Sequence, residues 1–435
     1  MLAAVSAAGK IRSERTASAW ALVLGRWWCE AGQGGHASTA RPGSLPWVPP
    51  PSQSCGASGS SGISPSIARE YAAARRPSRF SPTPRSRAAR LSSERAQQLS
   101  GELIAFAEQQ RPPQELVERR DRFLLNLQRH LVAELPGCSL DAFGSAVTGL
   151  WSADRDLDLS LAAPGVEGRG EVRRLLRRVG AVVYRLTGER PEARLQARVP
   201  ILRWESSSMD APACDISINN ALAVANSRLV AAYVAADPRV RPLALTVKAW
   251  ARARGINDRS RGTLSSFALT LMLIHYLQRR MLLPSLQDLA ISRGEPPQEV
   301  SGLDCRYCSD SDAIEAERMR LRAGAPGGSC SPGALLLAFF RYFGSEYRGG
   351  RVAVRKLDDA VNEEDAAGCG RFLFVDNPFE PGRDVANVEA GQVTRVREEF
   401  RQAFRHLSRG FKLEELCTDE RLLRPAEEQE EGNRG

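Results

Sequence analysis

The sequence has no long hydrophobic run. No stretch approaches the roughly 20 consecutive apolar residues that a membrane-spanning helix needs. The apolar stretch at residues 19–24 is short, and Arg26 interrupts it before it reaches the length of a cleavable or membrane-spanning segment. We therefore expect a soluble protein with no membrane partner.

Histidine is scarce and cysteine is scattered. The chain has four histidines and nine cysteines, and no Ser-His-Asp or Cys-His arrangement is visible. An odd number of cysteines at irregular spacing argues against a disulfide framework and favours a reducing, intracellular compartment. Cys305 and Cys308 form a lone C-x-x-C without a second pair at zinc spacing, which favours a loop over a metal site.

The excess positive charge is confined to the first 100 residues. The chain carries 60 Lys and Arg against 51 Asp and Glu; residues 1–100 hold 13 and 4 of these, which leaves 47 of each in residues 101–435. The leader, residues 1–91, is rich in Arg, Ser, Ala, Pro and Gly. This composition is typical of a transit peptide for the mitochondrion or another organelle, and nearly as typical of a disordered tail on a cytoplasmic protein.

An acidic pair follows a Gly-Ser turn in the middle of the chain. Asp156 and Asp158 alternate with leucines, so a strand here would place both carboxylates on one face and the leucines on the buried face. Two such carboxylates repel each other, and a divalent cation removes that cost. Oxygen ligands suit Mg²⁺, with Mn²⁺ as the alternative ion, and substrate phosphates complete its shell. Gly144 and Ser145 fit a tight turn opening a helix, where backbone N–H groups and a hydroxyl can cradle phosphate.

A third acid strengthens the metal hypothesis. Taken alone, alternating acids are more typical of an exposed strand than of a metal site. Asp215 stands in a second alternating stretch, CDISI, which follows another short predicted strand at residues 199–202. Three carboxylates on adjacent strands could hold two metal ions.

Five blocks of sequence, in this order and spacing, resemble the terminal RNA nucleotidyltransferases, which include terminal uridylyltransferases and related poly(A) polymerases. The blocks are FGSAVTGLWSADRDLDLSL, ARVPIL, CDISINNALAVAN, LTVKAWARARGINDRSRGTLSSFALTLMLIHYLQ and FVDNPFEPGRDV. The resemblance covers residues 95–412. It implies an enzyme that adds nucleotides to single-stranded RNA 3′ ends, with Asp156, Asp158 and Asp215 as catalytic metal ligands.

Periodicity and the resemblance together predict an α/β + α fold. A small mixed-sheet nucleotidyltransferase domain is followed by a mostly helical poly(A)-polymerase-associated domain, with a cleft between them. The first helix, capped at Ser92 or Ser93, is expected to pack back on the helical domain. The predicted segments are the leader (1–91), this helix (92–112), the catalytic domain (113–218, opening with a helix at 114–134), the helical domain (219–412) and a charged tail (413–435).

The resemblance also assigns nucleotide-binding residues in the helical domain. Lys248 and Arg252, four positions apart on a helix, would bind the triphosphate, although such a pair is more often a solvated face. Ser266 would add a hydroxyl to the phosphates, and Phe267 would stack on the base. Asn226 would contact the sugar and the base edge.

The predicted nucleotide-recognition loop departs from the family pattern. Uridylyltransferases typically have Asp-Pro-Phe-Glu and a histidine three residues later. This chain keeps the glutamate as Glu380 but has Asn377 in place of the aspartate and Arg383 in place of the histidine. An asparagine can pair with either base, through its carbonyl or its amide. A long Arg383 would occupy space that adenine's second ring needs, so UTP is favoured over ATP.

Two classes of function remain open. The first is a terminal nucleotidyltransferase, with a poly(A) polymerase and a small-molecule nucleotidyltransferase as alternatives in the enzyme class. The second is a catalytically silent member that binds RNA or scaffolds a complex. The presence of all three acids favours the enzyme. Because no RNA-recognition module is evident, a protein partner could choose the RNA.

Overall fold

The computed structural model describes residues 87–152, 156–197, 199–206, 212–324, 331–355 and 373–418. All of them lie in residues 81–435, the second of two units into which the chain divides. Most of the predicted leader and most of the charged tail lie outside the described residues. Within the described ranges, no helix is both long and apolar enough to cross a membrane.

Helices make up most of the described elements. They are α1 (Arg87–Gln109), α2 (Gln114–Glu134), α3 (Ser145–Thr148), α4 (Arg169–Thr187), α5 (Ala221–Ala236), α6 (Val240–Ala253), α7 (Ser266–Arg279), α8 (Leu286–Ser292), α9 (Ser311–Gly324), α10 (Pro332–Arg341), α11 (Val393–Ser408) and α12 (Leu413–Cys417). The strands are β1 (Ser139–Phe143), β2 (Leu157–Ala162), β3 (Glu192–Arg194), β4 (Ile201–Trp204), β5 (Cys214–Ile218), β6 (Glu299–Val300), β7 (Leu303–Asp304), β8 (Arg351–Val352), β9 (Phe374–Asn377) and β10 (Glu380–Asp384).

The first two helices follow the predicted pattern, with one boundary corrected. α2 spans the predicted residues and buries Leu127 and Leu131 of its apolar stripe. α1 begins at Arg87 and not at the predicted cap, Ser92 or Ser93. The preceding Ala-Ala-Arg-Leu run consists of strong helix formers, and serine inside a helix costs only about 0.5 kcal/mol relative to alanine. Nothing local therefore stops the helix at the serines.

A five-stranded mixed sheet, in the order β1-β2-β5-β4-β3, carries the predicted acids. β2 and β5 run parallel, while the other neighbouring strands are antiparallel. Leu157, Leu159 and Ile216 are fully buried and join a core cluster with side chains of α2 and α4. Because side chains alternate along a strand, Asp158 and Asp215 point to the opposite face.

One strand is shifted from its predicted position. The strand expected at residues 199–202 runs from Ile201 to Trp204. Pro200 has no N–H and cannot donate to the ladder, which disfavours an earlier start. Trp204 at the end of β4 stacks on Phe123 of α2, with ring centroids 4.9 Å apart. This contact holds the end of β4 to the helix behind the sheet.

The residues after Asn219 form a mostly helical lobe with its own core. Trp250 of α6 is fully buried and meets Phe340 and Phe400 edge-on. The lobe also contains a three-stranded sheet, β10-β9-β8, and the hairpin β6-β7, which the sequence did not predict. These strands are two to five residues long, too short for an alternating pattern to stand out.

α1 packs on the helical lobe. Leu99 and Leu103 are fully buried in the helical core. The backbones of α1 and α10 approach closely, because a Cβ at Gly333 would lie only 2.2 Å from the Ala96 carbonyl oxygen. The Gly333 N–H donates to Ser100 Oγ at 2.9 Å. A glycine and a serine therefore fix the position of α1 on this lobe.

Candidate active site

A cavity of about 710 Å³ lies between the open face of the sheet and the helical lobe. Its lining includes all but one of the predicted site residues. These are Gly144, Ser145, Asp156, Asp158, Asn226, Lys248, Arg252, Ser266, Phe267, Asn377, Glu380 and Arg383. The exception is Asp215, which is not among the lining residues. Residues almost 240 positions apart in the sequence thus share one space.

The turn after β1 has a conformation that favours glycine. Gly144 has φ 67° and ψ −147°, and α3 begins at the next residue, Ser145. The Gly144 N–H donates to Ser227 Oγ of α5 at 2.9 Å. This donor therefore holds the turn against the helical lobe and is not open to phosphate, contrary to the prediction. A phosphate cradle would have to be made from Ser145 onward.

Two of the acids lie on neighbouring strands, and an arginine on the next strand contacts two of the three acids. Asp158 on β2 and Asp215 on β5 are direct register partners. Arg203 on β4 is the register partner of Asp215 on the other side. Its Nη1 donates to Asp156 Oδ2 at 2.8 Å and lies 3.5 Å from Asp215 Oδ1. Two of the three predicted metal ligands therefore contact one guanidinium.

Burial and mutual repulsion act strongly on these carboxyl groups. Burial, followed by the charges of Asp215 and Asp156, raises the pKa of Asp158 to about 7, and Lys248 partly offsets this shift. Burial also raises the pKa of Asp215, and Arg203 opposes that shift. Oδ1 of Asp215 is buried and accepts no hydrogen bond from the described part of the chain. The carboxylate forms would be stabilised by an additional cation.

Basic side chains of α6 line the opposite wall. Lys248 is buried, with 8% of its surface exposed, so it does not belong to a solvated face. Its Nζ donates to the Leu150 carbonyl oxygen at 3.2 Å, which holds the segment after α3 to the helical lobe. Arg252 is exposed at the cavity wall. Arg259, in a 3₁₀ turn that the sequence did not single out, adds a third cation to the lining.

The start of α7 and one residue of α5 supply groups for a nucleoside. α7 begins at Ser266 as predicted, and Ser266 Oγ donates to Asn257 Oδ1 at 2.9 Å. Phe267 beside it is half-buried against the helical core. Asn226 is buried, and its Oδ1 accepts no hydrogen bond from any described residue. A buried carbonyl oxygen without a donor is costly, so a sugar hydroxyl or a base N–H is the kind of partner it needs.

The predicted recognition loop is the β9–β10 hairpin, and Glu380 contacts two other side chains in it. Glu380 Oε2 accepts from Asn377 Nδ2 at 3.0 Å, and Oε1 accepts from Arg383 Nη1 at 2.8 Å. Asn377 Oδ1 accepts the Phe379 N–H at 3.1 Å. Asn377 is therefore fixed at both ends of its amide. Arg383 is 51% exposed and lies at the rim of the cavity.

Comparisons with known proteins agree with this geometry. A family profile described as the central palm domain of mitochondrial-like poly(A) RNA polymerase matches residues 99–235. Poly(A) RNA polymerase cid13 of Schizosaccharomyces pombe is 30% identical over 314 residues, which are 69% of this chain and 52% of that protein. Poly(A) RNA polymerase GLD2-B of Xenopus laevis is 30% identical over 297 residues, 66% of this chain and 56% of that protein. The chain belongs to the terminal RNA nucleotidyltransferase family.

A solved structure of the Cid1 poly(U) polymerase resembles this chain in fold. The TM-score is 0.63 at 24% identity, and the match covers 74% of this chain and 99% of that one. The likeness confirms the predicted fold, a small mixed-sheet domain followed by a mostly helical one. The chain spans only about half to three-fifths of the length of the curated relatives that it matches, from 52% of cid13 to 62% of cid11 of Schizosaccharomyces pombe.

The carboxylates of Asp156, Asp158 and Asp215 fit a divalent metal by donor type. They are hard oxygen donors, and Asp215 Oδ1 is a buried acceptor that receives no hydrogen bond from the described residues, although Arg203 Nη1 lies 3.5 Å away. In the ranges that the structure describes, no three His, Cys, Asp or Glu side chains converge into a complete metal site. Mg²⁺ commonly takes phosphate oxygens as well, so a triphosphate would have to complete the shell.

Three contributing residues were not found from the sequence. Arg203 is a lone cation in the otherwise apolar strand ILRW, a signal that could have been noticed. Its position beside Asp215 depends on strand register, which the sequence does not reveal. Arg259 lies in a short basic turn between two helices, and Ser227 adjoins the predicted Asn226. The packing of the two lobes brings Arg259 and Ser227 to the cavity.

Proposed function

We propose that the protein adds nucleotides without a template to the 3′ end of single-stranded RNA, with UMP from UTP as the preferred addition. One arrangement supports this function above all: Asp156 and Asp158 of the sheet domain share a cavity with Lys248 and Phe267 of the helical lobe. A nucleoside triphosphate in this cavity would present its phosphates to the acids and the lysine, and its base to the aromatic ring.

Each side chain then has a defined chemical task. Asp156, Asp158 and Asp215 would hold Mg²⁺ or Mn²⁺, which supplies the positive charge that activates the RNA 3′-hydroxyl and neutralises the leaving pyrophosphate. Lys248 and Arg252 bind the triphosphate and orient the α-phosphorus for in-line attack. The 3′-hydroxyl loses its proton to solvent and its oxygen bonds to the α-phosphorus. The bond from the α-phosphorus to the oxygen that bridges to the β-phosphate breaks, pyrophosphate leaves, and the RNA grows by one nucleotide.

Base choice has to come from hydrogen bonds, because stacking on Phe267 contributes about 1–3 kcal/mol for any base. The steric argument against adenine is weakened, since the cavity holds about 710 Å³ and Arg383 lies half-exposed against Glu380 at its rim. Hydrogen bonding supplies a second argument. The Arg383 guanidinium offers donors to a uracil carbonyl, and Asn226 Oδ1 can accept uracil N3–H. We infer a modest preference for UTP.

ATP is the second candidate, and the names of the relatives support it. Both cid13 and GLD2-B are named poly(A) RNA polymerases, whereas Cid1 is named a poly(U) polymerase. Adenine would offer its N6 amino group to the Glu380 carboxylate. The same set of side chains, Asn226, Glu380 and Arg383, could therefore bind either base.

An extension assay separates these candidates. The full chain is incubated with a 5′-labelled single-stranded RNA and each of the four nucleoside triphosphates in turn, with Mg²⁺ and then with Mn²⁺. Faster extension with UTP supports the first candidate, and faster extension with ATP replaces it by the second. A folded protein that extends the RNA with none of them contradicts the proposed function.

A further inference from the structure

Arg203 occupies an unusual position for a cation beside metal-binding acids. It lies on β4 directly opposite Asp215 on β5, so both side chains are on the open face of the sheet. Its Nη1 donates to Asp156 Oδ2 at 2.8 Å and lies 3.5 Å from Asp215 Oδ1. Its side chain is only 22% exposed, so solvent screens these contacts less than it screens a surface ion pair.

The guanidinium has a second anchor outside the acid cluster. Nε donates to Glu205 Oε1 at 2.7 Å, and Nη2 lies 2.5 Å from the same oxygen. Glu205 is 62% exposed and is not one of the predicted metal ligands. The Arg203 guanidinium therefore contacts Asp156 and Asp215 through Nη1, and the solvent-facing carboxylate of Glu205 through Nε and Nη2. It can leave Asp156 and Asp215 while it stays in contact with Glu205.

Two further observations are consistent with acids that are not yet arranged around a metal. Asp215 does not line the cavity that Asp156 and Asp158 line. Within the described ranges, three acidic side chains nowhere converge as a ready-made ligand set. A guanidinium and a divalent cation would compete for the same oxygens, because both charges within about 4 Å of one carboxylate would also repel each other.

We propose that Arg203 is a positioning residue: it acts as the internal counter-ion of Asp156 and Asp215, and its withdrawal toward Glu205 lets these acids turn to a divalent metal. No covalent bond changes in this exchange, because a divalent cation replaces the guanidinium beside the two carboxylates. Metal binding to the protein alone is then weak. A triphosphate, which brings its own metal-binding oxygens, shifts the exchange toward the metal-bound state. This inference rests on the metal role in the proposed function.

Mn²⁺ binding to the full chain without RNA or nucleotide tests the proposal. The free Mn²⁺ concentration is followed by electron paramagnetic resonance at fixed ionic strength, and the dissociation constant is measured for each variant. Arg203→Gln removes the competing charge and should tighten Mn²⁺ binding by about tenfold, as expected for loss of a unit charge at this distance in a partly screened site. Arg203→Lys keeps the charge but loses the forked geometry, so its affinity should lie between the two.

The matched control is Arg185→Gln. It removes the same charge from α4 in the same domain, where Arg185 pairs with Glu134. Its Mn²⁺ affinity should stay within about twofold of the wild type, since the side chain is 55% exposed and screened. Unchanged or weaker Mn²⁺ binding in folded Arg203→Gln overturns the proposal. If that variant does not fold, unchanged binding in Arg203→Lys does so.

These readouts are independent of RNA extension. A protein that shows the expected Mn²⁺ affinities but extends no RNA would contradict the proposed function and leave the role of Arg203 standing. A protein that extends RNA but binds Mn²⁺ equally well as wild type, Arg203→Gln and Arg203→Lys would contradict the role of Arg203 and leave the proposed function standing.

Discussion

Gly144 lies so close to Asp158 that a Cβ on the glycine would come within 2.1 Å of Asp158 Oδ2. The glycine also has a positive φ of 67°, which side chains rarely adopt. The turn that opens α3 and the central acid of β2 are therefore in direct contact, with no room for a side chain between them. A phosphate bound at this turn would lie next to the carboxylate.

Gly144→Ala should reduce nucleotide addition by about 10²-fold or more, because the methyl group must displace the Asp158 carboxylate from its position. The rate of extension by the variant and the wild type measures this effect. Gly137→Ala is the matched control, since Gly137 also has a positive φ, 82°, but nothing lies within 4 Å of its added Cβ. Gly137→Ala should cost stability alone; equal losses of activity in both variants would contradict the argument.

Gly333→Ala should destabilise the protein by about 1–3 kcal/mol, since its Cβ would press on the backbone of α1 at Ala96. Urea denaturation gives the free energy of unfolding. Gly170→Ala is the control, because Gly170 is also the second residue of a helix and has nothing within 4 Å of an added Cβ. That variant should be neutral or slightly more stable. Two variants of equal stability would show that α1 and α10 can move apart at little cost.

The buried His275 predicts a dependence of stability on acid. Burial lowers its pKa from 6.5 to about 4, against the opposing effect of its bond to the Ala353 carbonyl oxygen, 2.7 Å away. The folded state then binds fewer protons than the unfolded state between these values. The free energy of unfolding therefore falls as the pH drops through this window, by at most about 1.4 kcal/mol per pH unit.

Denaturation of the wild type and His275→Gln at about pH 7.5 and about pH 5 tests this prediction. The wild type should lose more stability than the variant between the two conditions. Equal losses would mean that other groups account for the acid sensitivity.

Arg383→Ala should change nucleotide choice more than overall activity. The guanidinium is held by Glu380 at the rim of the cavity, and its loss removes donors that suit uracil carbonyls while freeing a carboxylate oxygen for the adenine amino group. The ratio of UTP to ATP incorporation at equal concentrations should therefore fall. A ratio identical to that of the wild type would remove Arg383 from the account of base choice.

Local patterns in the sequence predicted much of the site, and long-range geometry accounts for the rest. Alternation around Asp158 and Asp215 indicated two strands with acids on one face, and the register shows these residues as direct partners. The helical pattern around Lys248 could not show that the lysine is buried, because burial depends on the facing segment at Leu150. Arg203 reaches the acids only through the order of the strands, which no local pattern encodes.

Loss of one half-buried carboxyl group gives the most direct test of the central claim, that the acids of the sheet are needed for nucleotide addition to RNA. Asp158→Asn keeps the shape of the side chain, and Asp141→Asn removes a carboxylate from the same sheet where it pairs with Arg228 outside the cavity lining. Extension of a 5′-labelled single-stranded RNA is measured for both folded variants and the wild type with UTP and with ATP. We expect extension by the wild type and Asp141→Asn, and none by Asp158→Asn. Activity of Asp158→Asn above about 10% of the wild type would contradict the assignment of this residue to the catalytic metal site.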